Sequence, residues 1–129
     1  MFLIDSSAWI EYLRPGGSRK VKERVKEILH KEEACCCGVV TVEILRGART
    51  EREFNALKES FLALPQLPLD GPAVELASKW GFLLDRKGKT VSATDLLIAA
   101  AAHKKACVLH LDSDFGKVAS VAAVEQERL

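Results

Sequence analysis

The residues that could do chemistry in this chain are carboxylates placed where apolar runs stop. Asp5 closes the run Phe2-Leu3-Ile4, Glu43 follows the run 36–42, and Asp112 follows Val108-Leu109-His110-Leu111, with Asp114 two residues on. Asp95 stands at the mouth of the apolar stretch 96–102. Carboxylates brought into one site repel one another, which raises their proton affinity until protons or cations neutralise the charge. Oxygen donors without His or Cys favour Mg²⁺ or Mn²⁺ over zinc. Such an ion activates water and stabilises charge on a phosphate undergoing in-line displacement, so phosphodiester hydrolysis is the economical chemistry. Each acid also has a plainer reading. Asp5 can cap a helix, Asp95 can complete a capping box, Glu43 can favour a helix dipole, and Asp112 or Asp114 can start a turn.

What would bring these acids together is a parallel sheet, because ligands collect at the carboxyl ends of its strands. Phe2-Leu3-Ile4 reads as a strand, and the helical spacing of Trp9, Ile10 and Leu13 follows it directly. Pro15-Gly16-Gly17-Ser18 breaks that helix, and Val21, Val25, Ile28 and Leu29 mark one face of a second. Residues 36–42 are small, apolar or β-branched and suit a buried strand, with a helical pattern starting near Glu43. Residues 51–64 form a helix by the spacing of Phe54, Leu57, Phe61 and Leu62, and Asp70-Gly71-Pro72 opens another. Ser92-Ala93-Thr94-Asp95 has the form of a capping box. The helix after it is apolar nearly all round, hence central, before a third strand at 108–111 and a fourth at 121–124. The class is α/β: a three-layer α/β/α sandwich with a mostly parallel central sheet of four to five strands.

A length of 129 residues implies one domain, 1–129. At 48% hydrophobic and 29% charged, the composition excludes disorder, and a net charge of +1 leaves any anion binding to local groups. No stretch reaches the roughly 18 to 20 apolar residues of a membrane helix, and the start lacks the character of a signal peptide, so a cytoplasmic location is expected. Cys35, Cys36 and Cys37 are adjacent and Cys107 is alone, which fits buried thiols rather than a metal framework. His30, His103 and His110 lack ligand-spaced partners and read as surface or core residues; Trp9 and Trp80 read as core. Arg46 and Arg49 after Glu43, and Lys87 and Lys89 before Asp95, are the bases placed to meet the phosphates of RNA, or else are solvated surface charge.

The segments Leu3-Ile4-Asp5-Ser6-Ser7-Ala8-Trp9-Ile10, Val42-Glu43-Ile44-Leu45-Arg46-Gly47, Thr94-Asp95-Leu96-Leu97-Ile98-Ala99-Ala100-Ala101 and Leu111-Asp112-Ser113-Asp114-Phe115 occur in this order. In order and spacing the chain resembles the PIN-domain nucleases, especially the VapC toxins of type II toxin–antitoxin pairs. The resemblance implies a metal-dependent endoribonuclease with catalytic Asp5, Glu43, Asp95 and Asp112, and an Mg²⁺ (or Mn²⁺) ion held by Asp5, Asp95, Asp112 and Asp114. It also implies that Ser7 supports the metal's water near Asp5 and that Thr94 adds a hydroxyl beside Asp95. RNA as substrate, a small antitoxin and a homodimer are implied in the same way. Two other readings remain open: a PIN-like nuclease of RNA processing or DNA repair, and a metal-dependent adhesion-type module. The latter motif, D-x-S-x-S, would need Ser where this chain has Trp9.

Overall fold

A computed structural model describes residues 1–129. Four strands form one parallel sheet in the order β2-β1-β3-β4. They are β1 (Phe2–Ile4), β2 (Ala34–Cys35), β3 (Cys107–His110) and β4 (Gln126–Arg128). Leu3 pairs with Cys35 on one side and Val108 on the other, and Ile4 pairs with Leu109. The chain leaves β1 toward β2, then crosses back to place β3 on the opposite flank of β1. Since parallel crossovers are right-handed, that reversal puts helices on both faces and makes the gap beyond β1 and β3 the topological switch point.

The helices begin where the sequence supplies caps. In α1 (Ser6–Leu13) the cap is Asp5, in α2 (Arg19–His30) Ser18, in α4 (Glu51–Leu62) Thr50, and in α5 (Gly71–Arg86) Asp70 with Pro72 in the first turn. In α6 (Ala93–Ala102) the cap is Ser92, and six of its ten residues are buried, as an apolar helix with no polar face demands. The turn between α1 and α2 needs its glycines. Gly16 sits at φ +76°, and a Cβ on Gly17 would fall 2.0 Å from the Glu11 carbonyl oxygen. Leu3, Ile4, Val108, Leu109, Ile98, Ala99 and Phe115 form the centre of the core, where Trp9 and Trp80 are also buried. All four cysteines are free thiols, and burial raises those of Cys35 and Cys37 to about 11.

Two expected strands lie elsewhere. The stretch 36–42 is not a strand: β2 ends at Cys35, Cys36 makes one isolated bridge to Gln66, and α3 runs Gly38–Leu45. A short apolar run fits strand or buried helix equally, and packing decides. Here Val40 and Ile44, one helical turn apart, are buried while Val42 is 63% exposed. The stretch 121–124 is a turn that buries Val124, and the fourth strand is the polar segment after it. An edge strand tolerates such polarity, and this one is clamped by Arg24, whose Nε and Nη2 donate to Glu127 at 2.7 and 2.9 Å. The remaining helix, α7 (Asp114–Ala119), leads from β3 to β4.

Candidate metal centre

Asp5 leaves β1 at the switch point, its N–H donating to Leu109 O at 2.9 Å. It is only 3% exposed, yet it is a helix cap. The Ser7 N–H and Oγ–H both donate to Oδ2, at 3.1 and 2.5 Å, which leaves Oδ1 buried with no partner. A buried carboxylate oxygen without a donor is costly unless a cation meets it. Capping therefore occupies one oxygen of the side chain and leaves the other free.

Asp95 sits in the first turn of α6. Its N–H donates to Ser92 Oγ at 3.2 Å, but the reciprocal bond of a capping box, from Ser92 N–H to the Asp95 carboxylate, is not made. The carboxylate instead joins Asp112 and Asp114: one oxygen from each of the three lies within 4.8 Å of the others. Burial raises the Asp95 carboxyl to about 7, with the charges of Asp5, Asp112 and Asp114 adding to it. A helix N-terminus ordinarily favours a carboxylate by under about 1 kcal/mol, so here burial and repulsion win.

Glu43 reaches the same region from α3, not from the end of a strand. It accepts from Ser6 Oγ at 3.2 Å, and burial, with the nearby Asp5 charge, raises its carboxyl. The charge of Asp5 thus acts on both Glu43 and Asp95, and one further pair, Asp112 and Asp114, comes from the turn after β3 and the first residue of the helix that follows it. Asp114 N–H donates to Asp112 Oδ1 at 3.1 Å, and Lys117 Nζ donates to Asp114 Oδ1 at 3.0 Å. Oxygen donors only, an unsatisfied buried oxygen and mutual repulsion fit a hard divalent cation.

The supporting residues are placed less uniformly. Ser7 Oγ, besides donating to Asp5, accepts from Leu111 N at 3.1 Å, so it ties the ends of β1 and β3 together. Thr94 is exposed and its hydroxyl pairs with Ser92 Oγ at 3.1 Å, not with Asp95. Arg46 is exposed at the end of α3, where its charge slightly opposes the rise of Glu43. Arg49 lines a groove of about 450 Å³ with Ile10, Leu13 and Glu43. Lys87 and Lys89 are exposed and form no ion pair with the acids. Ser6 and Lys117 are not among the site residues expected from the sequence, and His110 was expected only as a surface or core residue. Adjacency to Asp5 was the available signal for Ser6; helical spacing from Asp114 was the signal for Lys117.

Residues 2–121 match the family described as the PIN domain. The chain belongs to the PIN-domain family. Within it, Ribonuclease VapC11 of Mycobacterium tuberculosis is 36% identical over 131 residues, covering 97% of this chain and 96% of the relative. Ribonuclease VapC18 of the same species is 26% identical over 132 residues, covering 98% and 93%. The fold agrees: the structure of VapBC-5 from M. tuberculosis, a member of the VapBC family of toxin–antitoxin systems, superposes with a TM-score of 0.68 at 25% identity, over 98% of this chain and 97% of that one. The chain is therefore a PIN domain of the VapC ribonuclease kind.

Proposed function

We propose that residues 1–129 act as one Mg²⁺- or Mn²⁺-dependent endoribonuclease domain, the toxin of a toxin–antitoxin pair. The observation that supports the reading is the cluster of Asp95, Asp112 and Asp114, together with Asp5, whose Oδ1 is buried and unsatisfied and whose charge acts on Asp95. In this reading Asp5, Asp95, Asp112 and Asp114 hold the cation, which would activate water and offset charge on the phosphate. Asp5, Glu43, Asp95 and Asp112 form the catalytic set. Glu43, half-buried with a raised carboxyl, is suited to hold a proton near the reacting oxygen. Arg46 and Arg49, exposed on the Glu43 side, are placed to receive the flanking phosphates, while Lys87 and Lys89 enter only through a longer RNA path. Ser7 keeps Asp5 oriented; Thr94 contributes at the helix cap.

The partner expected is a small antitoxin with a basic side chain for the acidic pocket, bound to a homodimer of this chain. The direct test is cleavage of cellular RNA by the purified chain with Mn²⁺. Asp5→Asn should lower cleavage by at least about a hundredfold, as loss of a metal ligand does, while leaving the circular dichroism spectrum unchanged. Cleavage retained in both Asp5→Asn and Asp95→Asn would remove the proposed site.

A further inference from the structure

Three backbone amides of the turn carrying Asp112 and Asp114 are held by side chains. Leu111 N–H donates to Ser7 Oγ, Asp114 N–H to Asp112 Oδ1, and Asp112 N–H to His110 Nδ1, each at 3.1 Å. The last of these fixes more than a distance. A backbone N–H can only donate, so Nδ1 carries no hydrogen and the ring's hydrogen is on Nε2. Nε2 in turn lies 2.6 Å from Gln126 Oε1, an acceptor on the edge strand β4. His110 is 0% exposed and lies 4.7 Å from the Phe115 ring, so water cannot replace either partner. If Gln126 were removed, the hydrogen would have no acceptor at Nε2, and the alternative tautomer would turn a donor against the Asp112 N–H.

We propose that His110 and Gln126 are positioning residues of the acidic centre: Gln126 keeps the ring hydrogen on Nε2, leaving Nδ1 to hold the Asp112 backbone so that its carboxylate stands beside Asp95 and Asp114. This rests on the metal-site reading above and extends it to a strand that carries none of the acids. It differs from simple core filling in a checkable way, because the two ring nitrogens can be mimicked separately. Asn offers Oδ1 near the place of Nδ1 and keeps the acceptor for Asp112. Gln reaches toward the place of Nε2 and loses that acceptor. Both variants remove the ring from Phe115, and Gln is the closer of the two to His in volume, so packing alone predicts no larger effect for His110→Gln than for His110→Asn.

The test uses the full chain stripped with chelator and titrated with Mn²⁺, free ion being read by electron paramagnetic resonance, with urea midpoints measured in parallel. Asp112→Asn should weaken Mn²⁺ binding strongly. His110→Gln and Gln126→Met should weaken it about 10- to 100-fold, the usual effect of losing a partner behind a ligand, and His110→Asn by no more than about threefold. His110→Asn and His110→Gln should lose similar stability. If His110→Gln and Gln126→Met bind as the native chain does while Asp112→Asn does not, the positioning role is wrong and the metal site stands. Native-like binding by Asp112→Asn would overturn the site reading itself. Should the His110 variants fail to fold, Gln126→Met decides, together with a long-range ¹H–¹⁵N spectrum of the native chain. A protonated Nδ1 in that spectrum would overturn the tautomer on which the proposal depends.

Discussion

Asp95 shows how one residue can be asked for two incompatible things. The N-terminus of α6 favours its charge, while burial and three neighbouring aspartates oppose it, and the opposition raises its carboxyl to about 7. The folded chain without metal therefore holds a proton between about pH 4 and 7 that the unfolded chain releases. Stability must fall as pH rises through that window and level off above it. Asp95→Asn removes the slope. Because Asp95 is only half-buried, the gain above pH 7 in chelator should be about 1 to 2 kcal/mol, less than the nominal shift implies. Thermal melts in EDTA from pH 4.5 to 8 check this. The variant should melt above the native chain at pH 8, and the order should reverse with saturating Mn²⁺. Equal melting at pH 8 would mean that the carboxylates do not repel.

At the scale of elements, the centre depends on the ends of β1 and β3 being held in register, and Ser7 is the tie. Ser7→Ala removes the hydroxyl from Asp5 Oδ2 and leaves the Leu111 N–H without its acceptor. A loss of about 2 kcal/mol is expected, with faster amide exchange at Leu111, whereas Ser120→Ala at the exposed end of α7 should change neither.

The sequence made these elements legible where caps and helical spacing coincide. Asp5, Asp70 and Ser92 each stand at the helix start that their residue type suggested, and Ser18, read only as part of a break, also caps a helix. It was ambiguous where local preference and packing part company. Val39, Val40, Thr41 and Val42 favour a strand by type but lie in α3, because Val40 and Ile44 face the core together. Glu43 was accordingly picked for the right neighbourhood by the wrong route, on a helix and not after a strand. Gln126–Arg128 has no apolar signature at all, since an edge strand can be fixed by a salt bridge and backbone pairing. His110 was legible only as a surface or core histidine; its tie to Gln126 spans 16 residues, which no local pattern records.

For the molecule as a whole, the acids raise a question of balance: a chain of net charge +1 has gathered four of its aspartates at one end of a sheet, with Lys117 the one cation hydrogen-bonded to the triplet. The metal-free fold carries that repulsion as lost stability, and a bound cation would return it. Binding to the folded state alone stabilises by about 2.7 kcal/mol at a hundredfold excess over the dissociation constant. For a domain of this size, each kcal/mol corresponds to about 3 to 5 °C in melting temperature. Mn²⁺ should therefore raise the melting temperature by about 10 °C under those conditions. The rise should disappear in Asp112→Asn and persist in Glu75→Gln, which removes an exposed acid of α5. Because the cation would bridge elements at both ends of the sequence, Asp5 beside β1 and Asp114 at the start of α7, the whole transition should move as one, with circular dichroism and tryptophan fluorescence shifting together. A shift seen by one probe alone would mean that the ion steadies only the turn after β3, and that Asp5 is not among its ligands.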